Sequence, residues 1–127
     1  MLSRTELETL EKFEHSARTH INCIRYDSKS KTEHRRLVHA LCDEAYNTDH
    51  NFLTRARLQT FTDRPFDTDR LVADFVDLKT GEVVEVAVSE GKASLDRKRI
   101  IYEKYGLRMV VIDAKEKKKA QSTGENN

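Results

Sequence analysis

A short apolar run near the end of the chain constrains the fold most. Residues 107–113, LRMVVID, are almost continuously apolar, which is typical of a β-strand covered on both faces. A helical segment separates this run from two strand-like segments, 70–78 and 82–90. Because a strand that follows a helical crossover pairs in parallel with its sheet, the sequence predicts an α/β fold with a small mixed sheet flanked by helices.

The two earlier strand-like segments form a predicted antiparallel hairpin. Residues 70–78 and 82–90 are joined by KTG, a connection short enough for neighbouring strands. Another strand, 52–59, precedes them and alternates with period 2. One face of this strand is therefore expected to carry Phe52, Thr54, Ala56 and Leu58.

Three segments have helical periodicity. Residues 3–21 carry apolar residues at helical spacing and begin with a capping-box pattern, Ser3 with Glu6. A second helix, 30–47, begins with a similar pattern. The third, 94–105, is followed by a glycine, the residue most common just after a helix.

The composition restricts the class of protein. The 127 residues fit one domain, and no apolar stretch approaches the ~20 residues that a membrane span needs. The N-terminal sequence MLSRTELETL lacks the apolar core of a signal peptide, so we expect no export, no membrane partner and a cytoplasmic location. Two cysteines, Cys23 and Cys42, are too few for a disulfide scaffold and are expected to be reduced.

Charge is nearly balanced, with 23 Lys and Arg against 22 Asp and Glu. A chain-wide electrostatic argument for nucleic acid therefore fails, and only local basic patches support one. Residues 115–127 hold four lysines and almost no apolar residue, so we expect a disordered tail. The chain divides into an N-terminal helix and connector (1–31), an α/β core (32–114) and this lysine-rich tail (115–127).

Two acidic residues lie on strands that are predicted to be buried. Asp74 lies in LVADFVDL, and Glu85 lies in EVVEVAVSE on the neighbouring strand. Because burial of an unpaired carboxylate is costly, these positions are informative, and the hairpin is expected to bring the two acids together. A hard cation such as Mg²⁺ stabilises converging carboxylates, and it can activate water and offset charge on a phosphate. A solvated sheet face, on which the acids only add solubility, explains the same spacing.

The order of elements from residue 32 onward resembles a known nuclease core. A helix with an early glutamate, three strands, a helix and a strand form the αβββαβ order of the PD-(D/E)XK nuclease superfamily. The sequence is similar to its archaeal Holliday-junction-resolvase-like and restriction-endonuclease-like members. The resemblance implies a restriction-endonuclease-like core with an extra N-terminal helix. It also implies that Glu33, Asp74 and Glu85 are catalytic and that Asp74 and Glu85 hold Mg²⁺ or Mn²⁺.

One position departs from the family pattern. Ala87 stands two residues after Glu85, where the family has a lysine that orients or activates the attacking water. Some members supply this amine from the following helix, so the resemblance makes Lys98 the best substitute, with Lys92 behind it. A solvated surface lysine explains either position equally well.

Five arginines are candidates for contacts with DNA phosphates. Arg55 and Arg57 share one face of the predicted strand 52–59, although arginines are also common on a wet sheet face without such a role. The full set is Arg35, Arg36, Arg55, Arg57 and Arg97.

Three functions are compatible with these features. The leading hypothesis is a DNA-binding, metal-dependent nuclease in which Lys98 supplies positive charge. The second, suggested by Ala87, is a catalytically inactive nuclease fold that serves as a DNA-binding or assembly module. The near-neutral charge supports the third, a protein-interaction domain. The apolar stripe of residues 3–21 is suited to pairing two subunits, and a homodimer would suit a nuclease that cuts both strands.

Two expectations about stability follow from the same patterns. Residues 107–113 are expected to be the segment best protected from hydrogen exchange, because their apolar run has no polar alternation. If Asp74 and Glu85 repel each other, Asp74→Asn is expected to leave the stability of the metal-free protein level or to raise it.

Overall fold

A computed structural model describes residues 2–59 and 71–114 of the chain. In chain order, the elements are α1 (Arg4–Leu10), a 3₁₀ helix (His15–His20), α2 (Thr32–Asn47), β1 (Phe52–Arg57), β2 (Val72–Asp77), β3 (Glu82–Ala87), α3 (Lys92–Lys104) and β4 (Arg108–Asp113). The connection TFTDRPFDTD between the expected strands 52–59 and 70–78, and the expected disordered tail, 115–127, lie outside the described residues.

The four strands form one mixed sheet in the order β1-β2-β3-β4. β2 is antiparallel to both β1 and β3, whereas β4 is parallel to β3 across the α3 crossover. The predicted α/β class, hairpin and parallel last strand are therefore confirmed. Among the described residues, no helix is long and apolar enough to cross a membrane.

Apolar side chains pack on both faces of the sheet. On one face, α2 packs against the strands through a buried cluster that contains Leu37, Val38, Cys42, Ala45, Phe52, Phe75, Val84 and Val86. The cluster on the other face joins the N-terminal segment and α3 to the sheet and includes Leu10, Phe13, Leu53, Ala56, Val83, Tyr102 and Met109. Full burial of a large apolar side chain contributes about 1.5–3 kcal/mol, so these two clusters fix both helix layers.

The N-terminal segment is not the single long helix that its apolar stripe predicts. α1 ends at Leu10, and Phe13 then forms an isolated bridge with Leu58. The N–H group of Glu14 donates to the carbonyl oxygen of Arg57 over 2.9 Å. The helix prediction is wrong beyond Leu10 because this stretch satisfies the open edge of β1 instead of continuing the helical hydrogen bonds.

The two predicted capping boxes have different outcomes. At α1 the box is confirmed, since Ser3 and Glu6 exchange two backbone-to-side-chain hydrogen bonds. α2 instead begins after Lys31, which makes no capping hydrogen bond with its side chain. The carbonyl oxygen of Ser30 accepts a hydrogen bond from the guanidinium of Arg35 over 2.9 Å, so this turn is fixed in another way.

β1 reverses its facing at Arg55, which has φ +48°. Leu53 and Ala56 are three residues apart, yet they belong to the same core cluster. The backbone carbonyl groups show the same reversal. In a regular strand, the carbonyl groups of Phe52 and Arg57 would point to opposite edges, but here both accept hydrogen bonds from the N-terminal segment. The predicted strict alternation along this strand is therefore wrong. A left-handed conformation costs a residue with a side chain about 1–2 kcal/mol.

The central strands β2 and β3 separate towards one end of the sheet. Their ladder stops at the pair Phe75–Val84. Beyond this pair, β2 stays with β1 as far as Val72, and β3 stays with β4 as far as Ala87. The separation opens a cleft between the two central strands.

Candidate functional site

Asp74 and Glu85 occupy the first cross-strand position beyond the end of the β2–β3 ladder. The last paired residues are Phe75 and Val84, so the same register puts Asp74 opposite Glu85. Both acids line the cleft between the strands. The structure therefore brings together the two acids that the sequence singles out.

The carboxylate of Asp74 is held from two directions. Its Oδ2 accepts a hydrogen bond from the backbone N–H of Val86 over 2.8 Å, and its Oδ1 lies 3.2 Å from Nε2 of His34 on α2. Burial opposes ionisation of Asp74, but the hydrogen bonds from His34 and Val86 lower its pKa below the usual value. Asp74 is therefore ionised at neutral pH.

The carboxyl group of Glu85 is neutral at neutral pH. Glu85 is 2% exposed, and its Oε1 accepts a hydrogen bond from the hydroxyl of Tyr102 over 3.1 Å. Burial, and then the charge of Asp74, raise the pKa of Glu85 to about 9. The protonated Glu85 also hydrogen-bonds with the Asp74 carboxylate, so the two acids share one proton.

Lys98 on α3 reaches the same cleft. Its Nζ lies 2.9 and 3.0 Å from the two carboxylate oxygens of Glu90 and 4.0 Å from Oε2 of Glu85. Burial opposes its charge, but the carboxyl groups of Glu85 and Glu90 raise the pKa of Lys98 above its usual value. Lys98 is therefore a retained cation beside the acids, whereas Lys92 is exposed and does not line the cleft.

α2 presents His34, not Glu33, to the two acids. His34 lines the cleft and contacts Asp74, whereas Glu33 is partly exposed and is not a lining residue. Sequence reasoning missed His34 although a signal was available. His34 precedes Leu37 and Val38 by three and four residues, so it lies on the buried face of α2.

The donor set of this cleft fits a hard divalent cation. At neutral pH the pair Asp74 and Glu85 holds one proton, and a bound cation can replace that proton. Mg²⁺ needs only one or two protein carboxylates, because water and phosphate oxygens complete its coordination. Within residues 2–59 and 71–114, no group of three or more His, Cys, Asp or Glu is arranged to hold a metal ion. A cation here would thus depend on these two acids.

The five candidate DNA-binding arginines are dispersed. Arg55 and Arg57 line a second cleft, beside β1. Arg35 donates to two backbone carbonyl groups of the preceding loop. Arg36 and Arg97 are exposed, and neither lines one of these two clefts. The structure therefore brings together only two of the five.

Comparison with known proteins adds no relative to this picture. No protein-family model matches the chain, and no curated protein or solved structure matches it significantly. The α/β class and the mixed sheet rest on the structure itself, and the resemblance to the PD-(D/E)XK superfamily stays a hypothesis.

Proposed function

We propose that this chain binds DNA and hydrolyses its phosphodiester bonds with Mg²⁺ or Mn²⁺. The observation that carries the proposal is the convergence of Asp74, Glu85 and Lys98, from three different elements, in the cleft where the central strands separate. Metal-dependent phosphodiester hydrolysis uses acids that hold the metal ion and a positively charged side chain near the phosphate. The order α2-β1-β2-β3-α3-β4 agrees with a restriction-endonuclease-like core.

The residues of the cleft have distinct roles in this proposal. Asp74 and Glu85 would hold the cation, which supplies Lewis acidity towards a phosphate oxygen when bound. Lys98 adds positive charge where negative charge develops on the phosphate. Glu33, which the resemblance implies is catalytic, does not line the cleft, so the proposal gives it no contact with the phosphate, and His34 holds Asp74 from α2 instead. In the reaction, a water oxygen bonds to phosphorus, the bond to the leaving oxygen breaks, and a proton of the water ends on that oxygen.

Lys98 replaces the missing family lysine in this proposal. Ala87 is 3% exposed and carries no amine, whereas Nζ of Lys98 lies 4.0 Å from Glu85. Because α3 follows β3 directly, a lysine on its second turn reaches the acid that the strand carries. This substitution keeps one cation at the cleft without a lysine on β3.

A second function, DNA binding without cleavage, is favoured by one observation. Nζ of Lys98 lies 2.9 and 3.0 Å from the two oxygens of Glu90, against 4.0 Å from Oε2 of Glu85. If this ion pair persists when DNA binds, Lys98 is not available to the phosphate, and the fold would serve as a binding or assembly module.

The homodimer stays a proposal, but the apolar stripe of the N-terminal segment does not support it. Leu10, Phe13 and Ala17 of this stripe are buried in the core of their own chain. Leu7 is 43% exposed and is the member of the stripe that remains open to a partner. Sedimentation with and without duplex DNA would measure whether two copies associate on the substrate.

Cleavage of labelled duplex and branched DNA tests the proposed function. With Mg²⁺ or Mn²⁺ the wild type is expected to nick the DNA, and Asp74→Asn and Lys98→Met are each expected to lose about 100-fold or more in rate. Asp96→Asn is the matched control, because its carboxylate lies on α3 and is half exposed. DNA binding without cleavage by the wild type would support the second function, and absence of both would contradict the proposal.

A further inference from the structure

A second cleft lies beside β1, between the two places where the N-terminal segment binds this edge strand. At one place, the backbone N–H of Asn22 donates to the carbonyl oxygen of Phe52. At the other, the backbone N–H of Glu14 donates to the carbonyl oxygen of Arg57, and both hydrogen bonds measure 2.9 Å. Between them, the 3₁₀ helix and β1 form the walls of the cleft. We call it the arginine cleft because Arg25, Arg55 and Arg57 line it.

The arginine cleft concentrates positive charge. Three arginines line it, and Glu14 is the one acidic residue among its described lining residues. The lining residues therefore carry a surplus of two positive charges, which Asp27, the ion-pair partner of Arg55 outside the lining, reduces to one. Guanidinium groups present a planar fork of donors that matches the oxygens of a phosphate, so the charge is of the type that binds a phosphate backbone.

The ion pairs of Arg55 and Arg57 are of a kind that exchanges readily. Arg55 lies 3.4 Å from Asp27, and Arg57 lies 3.7 Å from Glu14. These four side chains are between 36% and 48% exposed. Exposed pairs with this geometry contribute little to stability, so a phosphate can replace Asp27 beside Arg55 at low cost.

Arg55 lies in the same cross-strand row as the two acids. The pairs Thr54–Phe75 and Ala56–Ala73 flank it, so the register puts Arg55 opposite Asp74 on the neighbouring strand. Val72 lines both the arginine cleft and the cleft of Asp74 and Glu85. The two clefts are therefore adjacent, one positively charged and one acidic.

We propose that the arginine cleft binds the phosphates of a DNA strand that flank the phosphate held at Asp74 and Glu85. This inference rests on the proposed function, since it takes the acidic cleft as the place of the reacting phosphate. Arg25, Arg55 and Arg57 fix the position of the strand by contacts to its backbone, which bind without regard to base sequence. The described lining residues of the acidic cleft include two lysines, Lys31 and Lys98, but no arginine, and Lys98 is paired with Glu90.

DNA binding in the presence of EDTA tests the arginine cleft without the reaction. Arg55→Gln and Arg25→Gln are each expected to weaken binding of a labelled duplex about five- to tenfold and to reduce the slope of log affinity against log salt by about 0.9. The matched control is Arg4→Gln, which removes the same charge from a side chain on α1 that is 94% exposed. Wild-type affinity and slope in both cleft variants, or equal losses in Arg4→Gln, would overturn the proposal.

A variant that strengthens binding guards against losses caused by misfolding. Asp27→Asn removes the carboxylate that pairs with Arg55 and keeps a side-chain oxygen for the N–H of Lys29. It is expected to tighten DNA binding about two- to threefold, whereas unchanged or weaker binding contradicts the cleft. If Arg55→Gln binds weakly and the wild type never cleaves DNA, the cleft stands and the nuclease proposal fails. If Arg55→Gln binds and cleaves normally, only the cleft is wrong.

Discussion

The hydroxyl of Tyr102 donates a hydrogen bond to Oε1 of Glu85 across 3.1 Å, inside the core between α3 and β3. Tyr102 is 0% exposed and Glu85 is 2% exposed, so no water shell stabilises a charge on the acid. Burial and the charge of Asp74 keep Glu85 protonated without any cation, and the hydrogen bond from Tyr102, which favours the ionised form, offsets them only in part. The metal-free site is therefore a stable state of the protein, and its stability depends on pH.

Glu85→Gln is expected to stabilise the metal-free protein at neutral and alkaline pH. The pKa of Glu85 is about 9 in the folded state, against 4.5 for the ordinary group. Between these values the folded state binds more protons than the unfolded state, so the free energy of unfolding falls as the pH rises. Glutamine keeps both hydrogen bonds and removes this penalty, which gives a gain of up to about 3 kcal/mol at pH 7 and none below about pH 4.

Urea denaturation across this pH range measures the effect. Glu103→Gln is the control, because it makes the same chemical change at an exposed carboxylate on α3. A gain at pH 7 that is no larger in Glu85→Gln than in Glu103→Gln would contradict the assignment of a neutral, buried Glu85.

The element order was predictable from the sequence, but two local features were not. Apolar periodicity and the crossover rule depend on many residues at once, so they located all four strands and predicted the parallel pairing of β4, although not that its partner is β3. The reversal at Arg55 depends on one backbone angle, which no pattern of apolar residues encodes. No sequence pattern predicts where the β2–β3 ladder ends, although this position determines how Asp74 and Glu85 meet.

Asp74→Asn is expected to destabilise the metal-free protein. Repulsion between two ionised carboxylates would instead predict an equal or higher free energy of unfolding in this variant. Glu85 is protonated, so Asp74 meets a donor there and accepts further hydrogen bonds from His34 and the N–H of Val86. Because these contacts lower the pKa of Asp74, their contribution is present at neutral pH and is lost as the pH falls through the folded pKa. The expected loss is about 1–3 kcal/mol at pH 7.

Hydrogen exchange at one amide distinguishes this cause from a general loosening. In Asp74→Asn the amide of Val86 is expected to exchange faster by more than the amides of Val83 and Val84, which the backbone ladders hold. Uniform acceleration along β3, or an unchanged free energy of unfolding, would show that the Asp74 carboxylate does not hold the separated strands.

The slowest-exchanging amides are expected in β3 rather than in β4. The apolar run of β4 predicted full coverage, but β4 is an edge strand on which Val110 and Val111 are only partly buried. The first half of β3 pairs with β2 on one side and with β4 on the other, and Val83 is 0% exposed. Slower exchange at Val110 or Val111 than at Val83 would contradict this order.

Arg55→Gly is expected to cost less stability than Arg57→Gly by about 1–2 kcal/mol. Arg55 has φ +48°, a conformation that glycine adopts without the steric cost of a side chain. Both variants remove an arginine of β1 that pairs with an exposed carboxylate, and of these two positions only 55 has a positive φ. Chemical denaturation of the two variants gives the difference, and equal losses would mean that Arg55 bears no such strain in solution.

Mg²⁺ and Mn²⁺ are expected to stabilise the wild type by mass action, because the cation binds the paired acids of the folded state only. At 100 times the dissociation constant the free energy of unfolding should rise by about 2.7 kcal/mol. Asp74→Asn is expected to abolish this response, since it removes the carboxylate that is ionised before the cation arrives. Asp96→Asn, a change of the same kind at a half-exposed position, should respond like the wild type. An equal response in Asp74→Asn, or none in the wild type, would place any bound cation elsewhere than between Asp74 and Glu85.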